Sequence, residues 1–131
     1  MTAFDPEYPA SLSHVLVSEV LREELGFTGV VCTDDLTMGA ISDTYGMGEA
    51  AVLAVEAGCD LLLVCHGADN LTQARQALLG AVDGGRISPA RLEESVYRIL
   101  ALKAEYGLTN QTVEAPDVAA LNQAVQALLG E

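Results

Sequence analysis

Apolar residues follow two alternating patterns along this chain. Some form short unbroken runs, which are typical of buried β-strands, and others recur every three or four positions, which is typical of amphipathic helices. The runs predict strands over Val30–Thr33 and Leu61–Val64, and a strand stub over Met1–Phe4. Because the two clear strands are apolar throughout, we expect them to lie in a parallel sheet covered by helices. The predicted fold class is therefore α/β.

The helical pattern recurs in five segments between and after these strands. Helices are predicted from Ser11 or Ser13 to Leu25, over Gly48–Ala57, from Asn70 to Val82, from Ser88 to just before Gly107, and from Asp117 onward. Gly26 is a fitting end for the first helix, and Ser88-Pro89 is a strong start for the fourth. The stretch Leu36–Gly48 is predicted to be a long loop, and residues 109–116 a linker.

Length and composition indicate a folded domain. The chain has 131 residues, which suits one domain, and 50% of them are hydrophobic, with a mean hydropathy of +0.30. This apolar content excludes an intrinsically disordered protein. We place residues 1–108 in the α/β part of the domain, and residues 109–131 in a linker and a C-terminal helix.

The charge balance is strongly acidic. The chain carries 6 basic and 19 acidic residues, a net charge of −13. Nucleic acids and anionic membrane surfaces bind basic faces, so this balance argues against both as partners, whereas it is compatible with neutral substrates such as sugars. Arg86, Arg91 and Arg98 lie on or before the fourth helix, where salt bridges along the helix face explain them. No apolar run reaches the roughly 18 residues of a membrane span, and the N-terminus has no signal-peptide pattern, which together predict a cytoplasmic protein.

The cysteines show no spacing that indicates a cofactor. Cys32, Cys59 and Cys65 are odd in number and form no C-x-x-C motif. We interpret them as small core residues in a reducing compartment, rather than as a disulfide framework or a metal site.

Two adjacent carboxylates, Asp34 and Asp35, follow the apolar run Val30–Thr33. The loops at the carboxyl ends of parallel strands converge on a crevice, where α/β proteins place their chemistry. Adjacent side chains of an extended segment point to opposite sides. One aspartate is therefore expected to face a site, and the other to support the structure or face solvent.

Three chemistries suit a carboxylate at this position: a nucleophile, a Mg²⁺ ligand or a phosphoacceptor. A magnesium site needs further oxygen ligands, and Asp43, Asp60 and Asp69 have no fixed spacing to the pair. A receiver-type phosphoacceptor domain would carry a second strand-end aspartate and a later strand-end lysine, and neither is evident. A nucleophile needs one strand-end aspartate and an acid/base partner from another loop. Alternatively, both aspartates cap the loop after the strand.

His66 and Met38 are the other candidates for a site. His66 follows the second predicted strand, and a loop histidine bonded to the backbone is the simpler interpretation of it. Met38 either packs against the core or lines a pocket next to Asp34.

Several stretches around these residues resemble glycoside hydrolase family 3, in particular its bacterial β-N-acetylglucosaminidase (β-hexosaminidase) branch. The matching stretches are Tyr8–Ser13, Leu21–Ile41, Gly48–Ala51, Ala57–His66, Gly85–Ser88 and Arg98–Lys103. They occur in order over about residues 1–108. The element Thr33-Asp34-Asp35-Leu36-Thr37-Met38 favours the hexosaminidase branch, because the β-glucosidase branch typically has Ser-Asp-Trp there.

The resemblance implies a fold, a reaction and residue roles. The catalytic domain of the family resembles a TIM barrel, so residues 1–108 are expected to form a partial barrel of about three parallel strands with covering helices. Asp34 is the implied nucleophile of a retaining hydrolysis of terminal β-N-acetylhexosaminides. Asp35 would point away from the sugar, and Met38 and His66 are the candidate substrate-binding residues. Relatives need no metal and no organic cofactor, so none is expected.

The chain departs from the family where the acid/base residue is expected. That histidine lies in a Lys-His-Phe-Pro-Gly-His-Gly-like segment of the relatives, which this sequence lacks, and Phe4 stands where relatives usually have histidine. A TIM barrel needs about 250 residues, so the match corresponds to roughly its last three βα units. We therefore expect little glycosidase activity from the chain alone. The alternative is a non-catalytic remnant that acts as a binding or oligomerising module, in which a homodimer covers the open sheet edges.

Overall fold

The computed structural model describes residues 4–130 and alternates strands with helices. Its elements are a 3₁₀ turn (Ala10–Leu12), a π-helix (Val15–Glu24), β1 (Cys32–Asp35), α1 (Gly39–Tyr45), α2 (Met47–Ala57), β2 (Leu61–Leu63), α3 (Ala68–Asp83), α4 (Pro89–Glu105) and α5 (Val118–Leu129). This order agrees with an α/β fold. Residues 106–117, between α4 and α5, form neither helix nor strand, and the division of the chain near residue 108 stays a prediction.

The sheet of the described residues consists of two parallel strands, β1 and β2. The third predicted strand, Met1–Phe4, lies outside the described residues except for Phe4, which is in a turn. A three-stranded, barrel-like arrangement therefore stays a prediction. Because two strands are marginal on their own, this sheet depends on the helices that pack against it.

Strand β1 begins and ends two residues later than predicted, since it covers Cys32–Asp35 instead of Val30–Thr33. The backbone N–H of Leu36 still donates to the carbonyl of Leu63, at 2.9 Å, so pairing continues past the two aspartates. Asp34 and Asp35 belong to the strand because the neighbouring chain at β2 supplies hydrogen-bond partners. A pattern of apolar residues along the sequence does not reveal such partners.

Helix α2 lies at the centre of the core, where small side chains allow close packing. Ala50, Ala51 and Ala54 are completely buried, and α2 packs most extensively against α3. A Cβ added at Gly48 would lie 3.0 Å from the Cβ of Ala77, which shows how closely these two helices approach.

The predicted loop over Leu36–Gly48 is wrong over most of its length, because it contains α1 and the start of α2. Ile41 and Tyr45 are four residues apart and share one side of α1. Ile41 is buried in the core, and the ring of Tyr45 stacks on that of Tyr8, with centroids 6.1 Å apart. This packing stabilises a short helix whose glycine and polar residues favour a loop locally.

The helix predicted from Ser11 or Ser13 to Leu25 forms, but it is a π-helix over most of its length. The backbone N–H of Leu25, for example, donates to the carbonyl of Val20, five residues earlier, at 2.9 Å. The chain leaves the helix at Gly26, whose φ of 69° lies in the left-handed region that glycine tolerates. The predicted end of this helix is thus confirmed.

The predicted starts of the later helices are confirmed at two positions and wrong at one. The Ser88 hydroxyl and the Asp117 carboxylate each accept a hydrogen bond from the backbone N–H three residues later, at 3.1 and 3.0 Å. Asn70 does not cap α3, which begins at Ala68; its side-chain amide instead donates to the carbonyl of His66 at 3.0 Å.

A buried carboxylate, that of Asp60, joins β2 to the helices around it. Its side chain is fully buried and lies within ion-pair distance of three guanidinium groups. Arg22 of the π-helix approaches to 2.6 Å, Arg98 of α4 to 3.0 Å and Arg91 of α4 to 3.5 Å. The predicted salt bridge along the helix face exists as Arg98–Glu94, at 3.6 Å, but the prediction missed these contacts to Asp60.

Neutral donors complete the surroundings of Asp60. The Ser95 hydroxyl donates to it at 2.7 Å and the backbone N–H of Val31 at 3.0 Å. Burial by itself raises the pKa of this carboxyl, but the hydrogen bonds from Ser95 and Val31 and the charge of Arg22 together hold the pKa below its ordinary value. Asp60 therefore stays charged, and its contacts hold the chain in place where β1 and β2 begin.

The third arginine of the sequence prediction, Arg86, also reaches beyond its own helix. Its guanidinium binds Glu49 and Glu56 of α2, with closest distances of 2.8 and 2.7 Å. These two ion pairs connect the turn between α3 and α4 to α2.

One face of the sheet is uncovered in the described part of the chain. Cys32 and its ladder partner Leu61 are both exposed on it, and Leu63 is 39% exposed. The prediction of core cysteines is confirmed for Cys59, which is buried, but it is wrong for Cys32 and for Cys65, which are exposed because none of the described elements covers them.

The C-terminal helix α5 forms as predicted but buries none of its residues. Its apolar side chains Leu121, Val125 and Leu128 are all more than half exposed. Within residues 4–130, no helix is long and apolar enough to cross a membrane.

We expect Asp60→Asn to lower the free energy of unfolding by about 3–5 kcal/mol, because it leaves three guanidinium groups beside a neutral buried side chain. Urea denaturation followed by circular dichroism measures this loss. Glu94→Gln is the matched control: it removes an exposed partner of Arg98 and should change stability by less than about 1 kcal/mol. Equal stabilities of the two variants would contradict this account of Asp60.

Candidate active site

Asp34 and Asp35 lie at the carboxyl end of β1 and have different surroundings. Asp34 is exposed on the uncovered face of the sheet. Within the described residues, its carboxylate accepts one hydrogen bond, from the backbone N–H of Asp35 at 2.8 Å. Asp35 is partly buried and turned toward β2 and the chain that follows β1. The two carboxylates therefore have different partners: Asp34 binds the adjoining peptide group, and Asp35 binds the chain that follows β2.

The Asp35 carboxylate connects the ends of the two strands. One oxygen accepts the backbone N–H of Thr37 and that of Cys65, both at 3.0 Å, and the other accepts the Thr37 hydroxyl. The bond to the N–H two residues later is an Asx-turn, which fixes the direction of the chain after the strand. These donors lower the pKa of Asp35 to about 2, with the Cys65 N–H as the largest cause.

His66 lies beside Asp35 at this edge of the sheet. Its Nε2 is 3.7 Å from an Asp35 carboxylate oxygen, and its side chain is 83% exposed. The proximity of the imidazole is a further, smaller cause of the low pKa of Asp35. The structure thus places His66 next to the aspartate pair, where an exposed ring is accessible to a ligand.

Met38 follows the Asp35–Thr37 turn. Its backbone N–H donates to the carbonyl of Asp35 at 3.2 Å, and its side chain is 51% exposed. Of the two possibilities for Met38, exposure beside the strand end fits its position better than burial in the core. All of the predicted site residues, Asp34, Met38 and His66, therefore lie at the same edge of the sheet.

Strand β1 contains one residue more than β2 at this point. Cys32 pairs with Leu61 and Asp35 pairs with Leu63, so three steps on β1 match two steps on β2. This irregularity, a bulge of β1, lies between Cys32 and Asp35. Bulges disrupt the ladder locally and reorient side chains, and they are common beside active sites.

Sequence reasoning missed two threonines in this arrangement. Thr33 is buried, and its hydroxyl accepts a hydrogen bond from the backbone N–H of Leu63 at 3.1 Å. Thr37 donates its hydroxyl to Asp35. A signal was present for each: Thr33 is polar inside an apolar run, and Thr37 stands at the Asx-turn spacing from Asp35.

The described residues contain no group of three histidine, cysteine, aspartate or glutamate side chains arranged to hold a metal ion. What the site offers is a solvent-accessible carboxylate at a strand end, a second carboxylate that accepts three hydrogen bonds, and an exposed imidazole beside the latter. Such a set suits nucleophilic or acid/base chemistry by the side chains themselves.

Comparison with known proteins identifies the family. The profile described as glycosyl hydrolase family 3 N terminal domain matches residues 1–102. The chain belongs to glycosyl hydrolase family 3.

Two relatives illustrate the match within the family. The chain is 36% identical over 104 residues to a protein named β-N-acetylglucosaminidase/β-glucosidase from Cellulomonas fimi, covering 79% of this chain and 18% of that protein. It is 32% identical over 126 residues to a β-hexosaminidase from Nitrosomonas eutropha, covering 94% of this chain and 36% of that protein.

The fold of the chain also matches solved family 3 structures. A β-N-acetylglucosaminidase from Paenibacillus sp. str. FPU-7 superposes with a TM-score of 0.83 at 47% sequence identity, over 89% of this chain and 23% of that one. The chain therefore shares the local structure of a family 3 enzyme, while it spans well under half the length of each of these relatives.

The low pKa of Asp35 predicts how Asp35→Asn affects stability at different pH values. Because the pKa in the folded protein is about 2 and the ordinary value is 3.8, the carboxylate stabilises the fold above about pH 4 and loses this effect as the pH falls toward 2. We expect wild type to be more stable than Asp35→Asn at pH 6, and the difference to shrink steadily as the pH falls toward 2, where the Asp35 carboxyl is about half protonated.

Urea titrations of both proteins from pH 2 to pH 6 measure this difference. Glu114→Gln, which neutralises an exposed carboxylate of the 106–117 segment, is the control and should show no such dependence. A difference between wild type and Asp35→Asn that is constant with pH would contradict the assigned role of the Asp35 charge.

Proposed function

We propose that this chain contributes the nucleophile of a family 3 enzyme that hydrolyses terminal β-N-acetylhexosaminides with retention, and that Asp34 is this nucleophile. The observation that carries the proposal is the exposed Asp34 carboxylate at the carboxyl end of β1, within the Thr-Asp-Asp-Leu-Thr-Met element. The family match and the names of the relatives support the substrate class.

The hydrogen bonds of the two aspartates favour Asp34 over Asp35 as the nucleophile. A carboxylate that attacks carbon needs an oxygen lone pair that is accessible and not engaged by donors. Asp34 accepts a single bond, on Oδ1, within the described residues, whereas Asp35 accepts three N–H or O–H donors and has a lowered pKa. Asp35 is therefore the weaker nucleophile and the better structural residue.

The reaction would proceed in two steps. The free oxygen of Asp34 attacks the anomeric carbon while a general acid protonates the departing oxygen, which gives a glycosyl-enzyme ester. Water then hydrolyses the ester, assisted by the same acid/base group. We assign that group to residues outside this sequence, because the histidine-containing segment of the relatives has no counterpart in it.

Met38 and His66 are proposed to contact the substrate. Both lie at the edge of the sheet that carries Asp34, and both side chains are at least half exposed there. His66 would present a polar ring held near Asp35, and Met38 an apolar surface beside the sugar. With this assignment, the enzyme needs no metal or organic cofactor.

A complementation experiment tests the proposed nucleophile. The chain alone should hydrolyse an aryl β-N-acetylglucosaminide very slowly, because the lack of a general acid costs about 10²–10⁴-fold by itself. Co-expression with the preceding part of the Paenibacillus enzyme should restore hydrolysis. In that complex Asp34→Asn should abolish turnover, and Asp35→Asn should retain part of it.

A mechanism-based fluorosugar labels the nucleophile covalently, and peptide mass spectrometry then identifies the labelled residue. The peptide that contains Asp34 should carry the sugar in the wild-type complex. Labelling elsewhere, or unchanged turnover by Asp34→Asn, would refute Asp34 as the nucleophile.

A second candidate function, an oligomerising module, rests on the exposed apolar surface. A groove of about 460 Å³ lies between β2, α3 and α4, with Leu71, Leu78 and Leu92 in its lining. Both sheet edges are also unpaired within the described residues. Surfaces of this kind favour association, and a homodimer would cover them.

Sedimentation equilibrium distinguishes the two proposals for the isolated chain. An oligomerising module should form a dimer at micromolar concentration, and Leu92→Glu, which places a charge in the groove, should shift it toward monomer. Leu108→Glu, at an exposed residue outside the groove, is the matched control. A chain that stays a folded monomer up to about 100 μM would exclude a specific dimer. A dissociation constant of about 1 μM corresponds to about 8 kcal/mol of binding free energy, and such a dimer would form well below that concentration.

A further inference from the structure

The β-bulge of β1 is the feature from which we infer two additional functional residues. Between Cys32 and Asp35, β1 has one residue more than the matching part of β2. Asp34 lies within this bulge, so its backbone is not held by a regular ladder on both sides. Some other contact must fix the direction of its side chain.

Side-chain oxygens from the residues on either side of Asp34 provide that contact. The Thr33 hydroxyl accepts the backbone N–H of Leu63 at 3.1 Å, and the Asp35 carboxylate accepts that of Cys65 at 3.0 Å. A regular parallel ladder uses only backbone carbonyls as acceptors. Here two side chains of β1 bind two alternate N–H groups of the neighbouring chain segment, on both sides of the irregular position.

We propose that Thr33 and Asp35 are positioning residues that hold the bulge and thereby fix the Asp34 carboxylate on the open face of the sheet. This inference deepens the proposed function and rests on it for its catalytic meaning. Both residues are assigned a structural role, because Thr33 is buried and Asp35 is engaged by Thr37 and Cys65. Their effect on the reaction is exerted through Asp34.

The contacts of Asp34 explain why its direction depends on these neighbours. Its Oδ1 accepts the backbone N–H of Asp35 at 2.8 Å, so the carboxylate is oriented by the same peptide group that carries the Asp35 side chain. When Asp35 loses its bond to Cys65, that peptide group loses one of the contacts that hold it. The second oxygen of Asp34 would then sample several directions instead of one.

Matched pairs of variants separate positioning from general stability. Thr33→Val keeps the shape of the buried side chain but loses the hydroxyl, whereas Thr33→Ser keeps the hydroxyl. Asp35→Ala loses all acceptors, whereas Asp35→Asn keeps one oxygen for the two N–H groups. If the proposal is correct, Thr33→Ser and Asp35→Asn keep the amide protection and the Asp34 rotamer of wild type, and Thr33→Val and Asp35→Ala do not.

The first measurement uses the chain by itself and does not require activity. Nuclear magnetic resonance gives the exchange rates of the Leu63 and Cys65 amides and, from three-bond couplings, the χ1 rotamers of Asp34. We expect about fivefold faster exchange of Leu63 in Thr33→Val and of Cys65 in Asp35→Ala, as the loss of one hydrogen bond implies. Asp34 should occupy one rotamer in wild type and several in these two variants.

The second measurement uses the complemented enzyme described above. Thr33→Val and Asp35→Ala should lower kcat while KM changes little, because the nucleophile is misdirected and the binding surface is retained. An inactive wild-type complex would refute the proposed function but leave the rotamer test of positioning intact. A single, wild-type Asp34 rotamer in both Thr33→Val and Asp35→Ala would overturn the inference of positioning, whatever the activity.

Discussion

The buried carboxylate of Asp60 is the interaction on which the arrangement of this chain depends. It binds Arg22 of the π-helix and Arg91 and Arg98 of α4, and it lies at the entry of β2. Transfer of a charged side chain from water to the protein interior costs several kcal/mol unless oppositely charged partners surround it. Each arginine is therefore held in place by the need to compensate the charge of Asp60. Helix α4 depends on this most, since Ser95, which also binds Asp60, is its one buried residue in the described structure.

The candidate site lies at the opposite end of the same two short strands. Asp60 fixes where the strands begin, and Asp35 joins them where they end, by its bonds to Thr37 and Cys65. Two strands of four and three residues cannot hold a precise geometry through backbone pairing alone. Polar side chains at both ends supply the missing constraint, and the bulge between them leaves the Asp34 carboxylate exposed.

Local signals in the sequence were sufficient for part of this picture. The helix starts at Ser88 and Asp117 and the helix end at Gly26 were predicted correctly, because capping involves residues within one turn of each other. Helix α1 was missed because its stability comes from packing of Ile41 on the core. The exposed cysteines were missed because burial of an apolar strand depends on what covers it.

The sequence by itself determined the family, the α/β class and two adjacent carboxylates at the end of a strand, since an apolar run followed by polar residues is a local signal. Only the tertiary structure decided which carboxylate is engaged by distant hydrogen-bond donors. Asp35 is occupied by the N–H of Cys65, 30 residues later, and Asp60 by Arg22, 38 residues earlier. Partners at such separations are set by how the elements pack, which the spacing of residues along the chain does not encode.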